Sequence, residues 1–202
     1  MKFIELNQTQ KNKITITKAG AYTIFLFNRS GKVILEIKVK DVDINIYGLF
    51  IGKGSENFHL NTIQHHSEVE STSNLLIKGI FFDQSEFYYE GLIKIDLQAQ
   101  RSHAYQKNQN IILGSKARVE SKPYLEIEAN DVFCTHGSTT GKISPNQIHY
   151  LQTRGINKKK AEKLILQGFT REIFDLLTKA GVSSKIVTSY QNKVKNILSN
   201  AS

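Results

Sequence analysis

The sequence predicts an all-β body, residues 1–143, followed by a basic helical segment, residues 144–202. Three observations predict it. Upstream of residue 144 the chain is a run of short blocks that alternate apolar and polar residues and are rich in Ile, Val, Phe and Tyr. No helix-sized stretch separates those blocks, as a doubly wound α/β fold would require between its parallel strands. Near Ser144-Pro145 the period becomes helical and the charge turns strongly positive.

Taken in order, the strand-like blocks are ITIT (14–17), YTIFLF (22–27), KVILEIKV (32–39) and DINIYGLF (43–50). They continue with SNLLIKGIFF (73–82), GLIKIDL (91–97), NIILGS (110–115) and PYLEIEANDVFC (123–134). Gly, Asn, Ser and Asp punctuate them, and Pro123 stands at a strand start, where a missing N–H costs least. Strand centres recur at Ile34, Ile44, Leu76, Ile93, Ile112 and Ile127, with a degenerate spacing. Two architectures fit: an antiparallel sandwich or barrel, and a parallel β-solenoid whose short strands stack coil on coil. Periodicity alone favours the sandwich or barrel.

Three capped helices are expected downstream. Asn157 caps a helix with Ala161, Leu164 and Ile165 inward, closed by Gly168. Thr170 caps a second, with Ile173, Phe174 and Leu177 inward and Gly181 as terminator. Ser183 or Ser184 opens a third, whose apolar face is Ile186, Val187, Tyr190, Val194, Ile197 and Leu198.

Bulk properties narrow the function classes. The chain has 202 residues, 40% hydrophobic and 22% charged, the composition of a soluble globular protein. No apolar run approaches the ~18 residues needed to span a bilayer. The start MKFIELNQTQ meets Glu5 and three amides too early for a signal peptide, so an intracellular, cytoplasmic protein is expected. One cysteine, Cys134, excludes an internal disulfide and any zinc or cluster site built from several cysteines of one chain. The formal charge is +9. From Arg154 onward ten Lys and Arg face Glu162, Glu172 and Asp175, whereas residues 1–153 are nearly neutral.

Residues 101–177 carry a set of ordered blocks. These are Gln109-Asn110-Ile111-Ile112-Leu113, Ala117, Pro123-Tyr124-Leu125-Glu126-Ile127, Asp131-Val132-Phe133-Cys134-Thr135-His136-Gly137 and Tyr150-Leu151-Gln152-Thr153-Arg154-Gly155-Ile156. In order and spacing the region resembles the core of the SufB/SufD family of iron–sulfur cluster assembly scaffolds. Residues 1–100 agree only in texture. Gly137 stands where SufB-like chains tend to carry an acidic residue after the histidine, so the resemblance is to the SufD side of the family. It implies a right-handed parallel β-helix with a C-terminal helical segment, in place of the sandwich. It further implies a non-catalytic scaffold that pairs with a SufB-like subunit, or with a second copy of itself, and docks a SufC-type ABC ATPase. Family members are usually about twice this length, with an N-terminal helical part and further coils, so this chain reads as an N-terminally shortened relative.

Two residues could carry chemistry. In a strand, residues two apart point to one side, so Cys134 and His136 project together. A thiolate and a neutral imidazole are good iron ligands. Two are too few for a cluster, so a partner must supply the rest. The resemblance places both at the SufB–SufD interface, where a transient iron–sulfur cluster would form, with no cofactor held stably by this chain alone. The alternative is that Cys134 is a buried small hydrophobe and His136 a hydrogen-bonded strand residue.

In the helical segment, Arg154, Gly155, Ala161, Leu164, Ile165 and Phe169 match the part of the family that forms the ATPase dock. The stretch from 154 to 161, with Lys158, Lys159 and Lys160, also resembles a phosphate-binding helix–hairpin–helix, which keeps a nucleic-acid-binding module as the second reading. His65, His66, Glu68 and Glu70 read as a solvent-facing loop. His59 and His103 are isolated and receive no role. GKGSEN (52–57) lacks the ending of a phosphate-binding loop, and no serine sits in a nucleophile-elbow context, so no catalytic set is expected.

Overall fold

The computed structural model describes residues 1–9 and 11–199. Eleven strands are described: β1 (Lys2–Glu5), β2 (Lys13–Ile16), β3 (Gly20–Phe27), β4 (Gly31–Ile37), β5 (Val42–Gly52), β6 (Asn57–His66), β7 (Ser71–Phe81), β8 (Glu86–Ile95), β9 (His103–Ile112), β10 (Arg118–Ile127) and β11 (Phe133–Gly141). The helices are α1 (Leu6–Thr9), α2 (Pro145–Thr153), α3 (Lys158–Lys179) and α4 (Ser184–Ser199).

The strands alternate between two sheets. One runs β1-β3-β5-β7-β9-β11, the other β10-β8-β6-β4-β2, and every described pairing is parallel. This is a β-solenoid, as the family resemblance implied, and it overturns the sandwich that periodicity favoured. Val42 stands beside Ser71 and Asn57 beside Glu86, so one coil takes 29 residues there. Each coil holds two strands and brings the chain back onto itself without a crossover helix.

Alternation within each strand sends one set of side chains between the sheets. Ile24, Ile44, Leu26, Leu35, Ile37, Phe50, Ile77, Phe81 and Phe87 form that core, all almost wholly buried. Phe50, Phe81 and Phe87 stack along it, with ring centroids 4.7 and 5.2 Å apart. The outer face of the first sheet is apolar too. Phe25, Tyr47, Leu49, Ile51, Ile80 and Phe82 pack against Leu166, Ile173, Phe174 and Leu177 of α3 and Val187, Tyr190 and Val194 of α4. This explains why these strands read as near-continuous apolar runs: both of their faces are covered.

Polar groups fasten the helices to the sheet. The buried Lys78 ammonium of β7 donates to Glu172 and to the Phe169 carbonyl of α3, and lies over the Phe169 ring at 4.3 Å. Tyr190 Oη of α4 donates to Glu5 on β1.

The helical segment differs from its expected division. Among the described residues three helices follow residue 144, but α2 was not anticipated, and the two helices expected on either side of Gly168 are one. Gly168 and Thr170 lie inside α3, where Thr170 is buried and its hydroxyl donates back to the Leu166 carbonyl. Asn157 does cap α3: the Lys160 N–H donates to its side chain at 2.9 Å. The inward face starts at Ala161 and Leu166; Leu164 is 40% exposed and Ile165 only half-buried, because the sheet touches a stripe rotated from the one expected. Likewise β6 was missed, and the block 123–134 is two strands joined by a turn.

Candidate functional site

The two ends of the solenoid differ. At the N-terminal end, α1 brings Leu6 fully into the core and Arg29 ties the entry loop down by donating to the carbonyls of Leu6 and Lys11. At the C-terminal end nothing described stacks on β10 or β11, which are the terminal strands of their sheets. Their outer N–H and C=O groups form open edges, a template for strand addition. Apolar side chains surround these edges: Tyr124, Leu125, Ile127 and Phe133 are 50, 39, 40 and 61% exposed.

Cys134 and His136 lie on that open end. Cys134 stands beside Ala104, and His136 beside Gln106, in rows that face the interior of the solenoid. They share a side of the strand, as period-two alternation required, but not an environment. Cys134 packs against the small cluster of Ile93, Ile95, Ala99, Ala104 and Ala129, and burial pushes its thiol up to about 11. At neutral pH it is a protonated, half-buried apolar group. His136 is exposed, its row ending there with no further strand above it. Among the described residues no group of three or more His, Cys, Asp and Glu side chains is placed to hold a metal ion.

The histidine pair of β6 is not a solvent loop. His66 is wholly buried, its Nδ1 2.7 Å from Ser71 Oγ and its Nε2 2.8 Å from Ser73 Oγ. The ring faces the interior because alternation from Leu60 through Thr62 and Gln64 puts it there. Burial lowers its pKa to about 4, with the neighbouring His65 adding to the effect, so it is neutral. His65 points the other way, its Nε2 2.9 Å from both Asp96 carboxylate oxygens. Ser67 Oγ approaches the same nitrogen at 3.4 Å, so the three do not form a relay, which would need both ring nitrogens.

Four of the tail's ten Lys and Arg residues lie at the start of α3. Lys158, Lys159, Lys160 and Lys163, with Phe82, Asp83 and Leu113 of the solenoid, line a groove of about 1090 Å³. Of the docking candidates, Arg154 is exposed and its guanidinium lies over the Tyr150 ring at 5.5 Å. Gly155 has φ +80°, a left-handed conformation that closes α2 and suits glycine. Leu164 is on the surface, Ile165 and Phe169 are half-buried, and Ala161 is fully buried, supporting the helix from beneath.

The rim residues Tyr124, Leu125, Ile127 and Phe133 were not singled out as a site. The alternation in their blocks marks them as strand residues; it cannot show that nothing stacks above them.

The fold and this end define a parallel β-solenoid with a helix-covered sheet and an open, histidine-bearing edge. More particularly, the chain belongs to the SufBD core family: the family model described as "SUF system FeS cluster assembly, SufBD core domain" matches residues 8–169, which include every candidate above. The chain is 35% identical to the iron–sulfur cluster assembly protein SufD of Escherichia coli (strain K12) over 122 residues, 60% of this chain and 29% of that protein. It is 30% identical to SufD of Bacillus subtilis (strain 168) over 160 residues, 75% of this chain and 37% of that protein. The SufBD family protein slr0076 of Synechocystis is 30% identical over 138 residues, 68% of this chain and 30% of that protein. The chain is SufD-like, and it spans about a third of the length of the curated relatives it matches.

Proposed function

We propose that this chain is a non-catalytic scaffold subunit of an iron–sulfur cluster assembly complex in the cytoplasm. Its open end pairs with a SufB-like subunit or with a second copy of itself. Its helical face, through Arg154, Gly155, Leu164, Ile165 and Phe169, docks a SufC-type ABC ATPase. The observation that carries the reading is the uncapped end of the solenoid, where two unpaired strand edges, an apolar rim and an exposed His136 coincide within the family match. The nascent cluster is cargo at that junction. His136 is the ligand this chain offers to it, and Cys134, held as a half-buried, protonated thiol, needs the partner's arrival to change its surroundings before it can serve.

The test is affinity capture of the tagged chain from its native cell, with His136→Ala and Leu164→Asp beside it. Wild type is expected to bring down an ABC-type ATPase and a SufB-like protein. Leu164→Asp should lose the ATPase alone, and His136→Ala should keep both proteins yet fail in a complementation assay. Full activity of His136→Ala would overturn its role, and retention of the ATPase by Leu164→Asp would overturn the dock.

The lysine-lined groove at the start of α3 favours a second reading, a nucleic-acid-binding module. A phosphate backbone held there would be released steeply as salt rises, whereas an ATPase docked on Leu164 and Phe169 would not.

A further inference from the structure

The inward-facing rows change chemistry along the solenoid. Ile24, Ile46 and Leu75 stack in register and are then followed by Gln106 and His136. Leu26, Gly48 and Ile77 lead to Asn108 and Ser138; Phe50 and Gly79 lead to Asn110 and Thr140. On the opposite sheet Val33 is followed by Thr62, and Leu35 by Gln64. The first coils therefore enclose an apolar core, and the later ones an amide-rich layer.

That layer is closed to solvent. Gln64, Gln106, Asn108 and Asn110 are 0, 1, 1 and 4% exposed. Glycines make the room for them: a Cβ at Gly91 would lie 2.3 Å from the Gln106 amide nitrogen, and one at Gly79 would lie 2.5 Å from Asn110 Oδ1. Some of the amide groups are satisfied within the protein. Asn110 Nδ2 donates to Asn108 Oδ1 and to Thr140 Oγ1, and Gln106 Nε2 donates to the Gly91 carbonyl. Five atoms are not: Gln64 Nε2, Gln64 Oε1, Gln106 Oε1, Asn108 Nδ2 and Asn110 Oδ1 have no protein partner.

Buried polar atoms are rarely left unpaired, because each forfeits its hydration without recovering a bond. The orphaned set contains donors and acceptors together, and the inward rows of this layer contain no Asp, Glu, Lys or Arg. A ligand here must be small, neutral and able both to donate and to accept. We infer that the amide layer between the two sheets is a built hydration site, in which water molecules bind Gln64, Gln106, Asn108 and Asn110. A buried water makes about three hydrogen bonds, so five orphaned atoms call for about two waters. The layer lies one strand below the open end, since the Gln106, Asn108 and Asn110 rows finish at His136, Ser138 and Thr140.

The inference is independent of any partner and is read on the isolated chain. Oxygen-17 magnetic relaxation dispersion counts long-lived internal waters in wild type and in the double variant Gln64→Leu/Asn108→Leu. The variant removes three of the five orphaned atoms, so the count is expected to fall by about one; an unchanged count overturns the proposal. Should the variant not fold, the wild-type side-chain amide protons decide. Cross-relaxation from water to the Gln64 and Asn108 amide protons supports the site. Its absence, with direct contacts between the amides instead, overturns it.

Discussion

His66 and Lys78 are two polar strand side chains, and each is buried for a different reason. His66 faces the interior and is accepted there as a neutral ring between the hydroxyls of Ser71 and Ser73. Its pKa of about 4 lies below the unfolded value of 6.5, so the unfolded chain takes up a proton first as pH falls. Stability should be flat above pH 6.5 and then decline as pH falls toward 4, by roughly 3 kcal/mol in all. Urea unfolding at pH 7.5 and pH 5 measures this, and His66→Asn should flatten the dependence. A wild-type midpoint unchanged between those pH values would contradict the buried, neutral assignment. Lys78 instead faces the helices, where the Glu172 carboxylate and the Phe169 carbonyl receive its ammonium. Neither environment is written in the neighbouring residues: each depends on an element that arrives from elsewhere in the chain.

At the scale of the element, α3 shows how local signals mislead. Gly168 followed by Thr170 reads as a stop and a new cap, yet the helix runs on from Lys158 to Lys179. Its apolar stripe, Leu166, Ile173, Phe174 and Leu177, packs on one continuous sheet face, and that burial outweighs a glycine in the helix interior, which costs about 1 kcal/mol relative to alanine. A Cβ at Gly168 would meet nothing within 4 Å. Gly168→Ala should therefore raise stability by about 0.5–1 kcal/mol, read as a higher thermal midpoint. Were Gly168 a left-handed cap instead, the same change would lower it. The strands teach the converse. β5 and β7 were legible because both faces are apolar, while β6 was overlooked because its interior face carries Thr62, Gln64 and His66. β10 and β11 merged into one expected strand because the connection between them, Glu128-Ala129-Asn130-Asp131-Val132, offers neither Gly nor Pro.

For the molecule as a whole, the asymmetry between its ends is the property that bears on function. Stacked coils each bury the next, so a solenoid without a cap leaves its last coil half-covered. Here the last coil is polar where it faces Gln106, Asn108 and Asn110, and apolar at Tyr124, Leu125, Ile127 and Phe133. If that end is an interface, the double variant Tyr124→Ser/Phe133→Ser should abolish association, with itself or with a SufB-like chain, in size-exclusion chromatography with light scattering. Its thermal midpoint should move by only a few degrees, since both side chains are at least half exposed. Association that survives the double change would place the interface elsewhere.

What the residues determined by themselves was local: β alternation in blocks up to residue 134, a helical period in the basic tail from Asn157 onward, and a shared side for Cys134 and His136. Their order and spacing also carried the family resemblance, and with it the solenoid. Tertiary structure alone decided the rest. Coils of about 30 residues, holding two strands each, stack by backbone pairing, and that pairing leaves no mark on side-chain period. Which face of α3 is inward, that His66 is buried while His136 is exposed, and that the final coil stands open all follow from what packs against each strand. A side chain's chemistry is set by its own residue, but its burial is set by its neighbours in space, and the sequence does not order those.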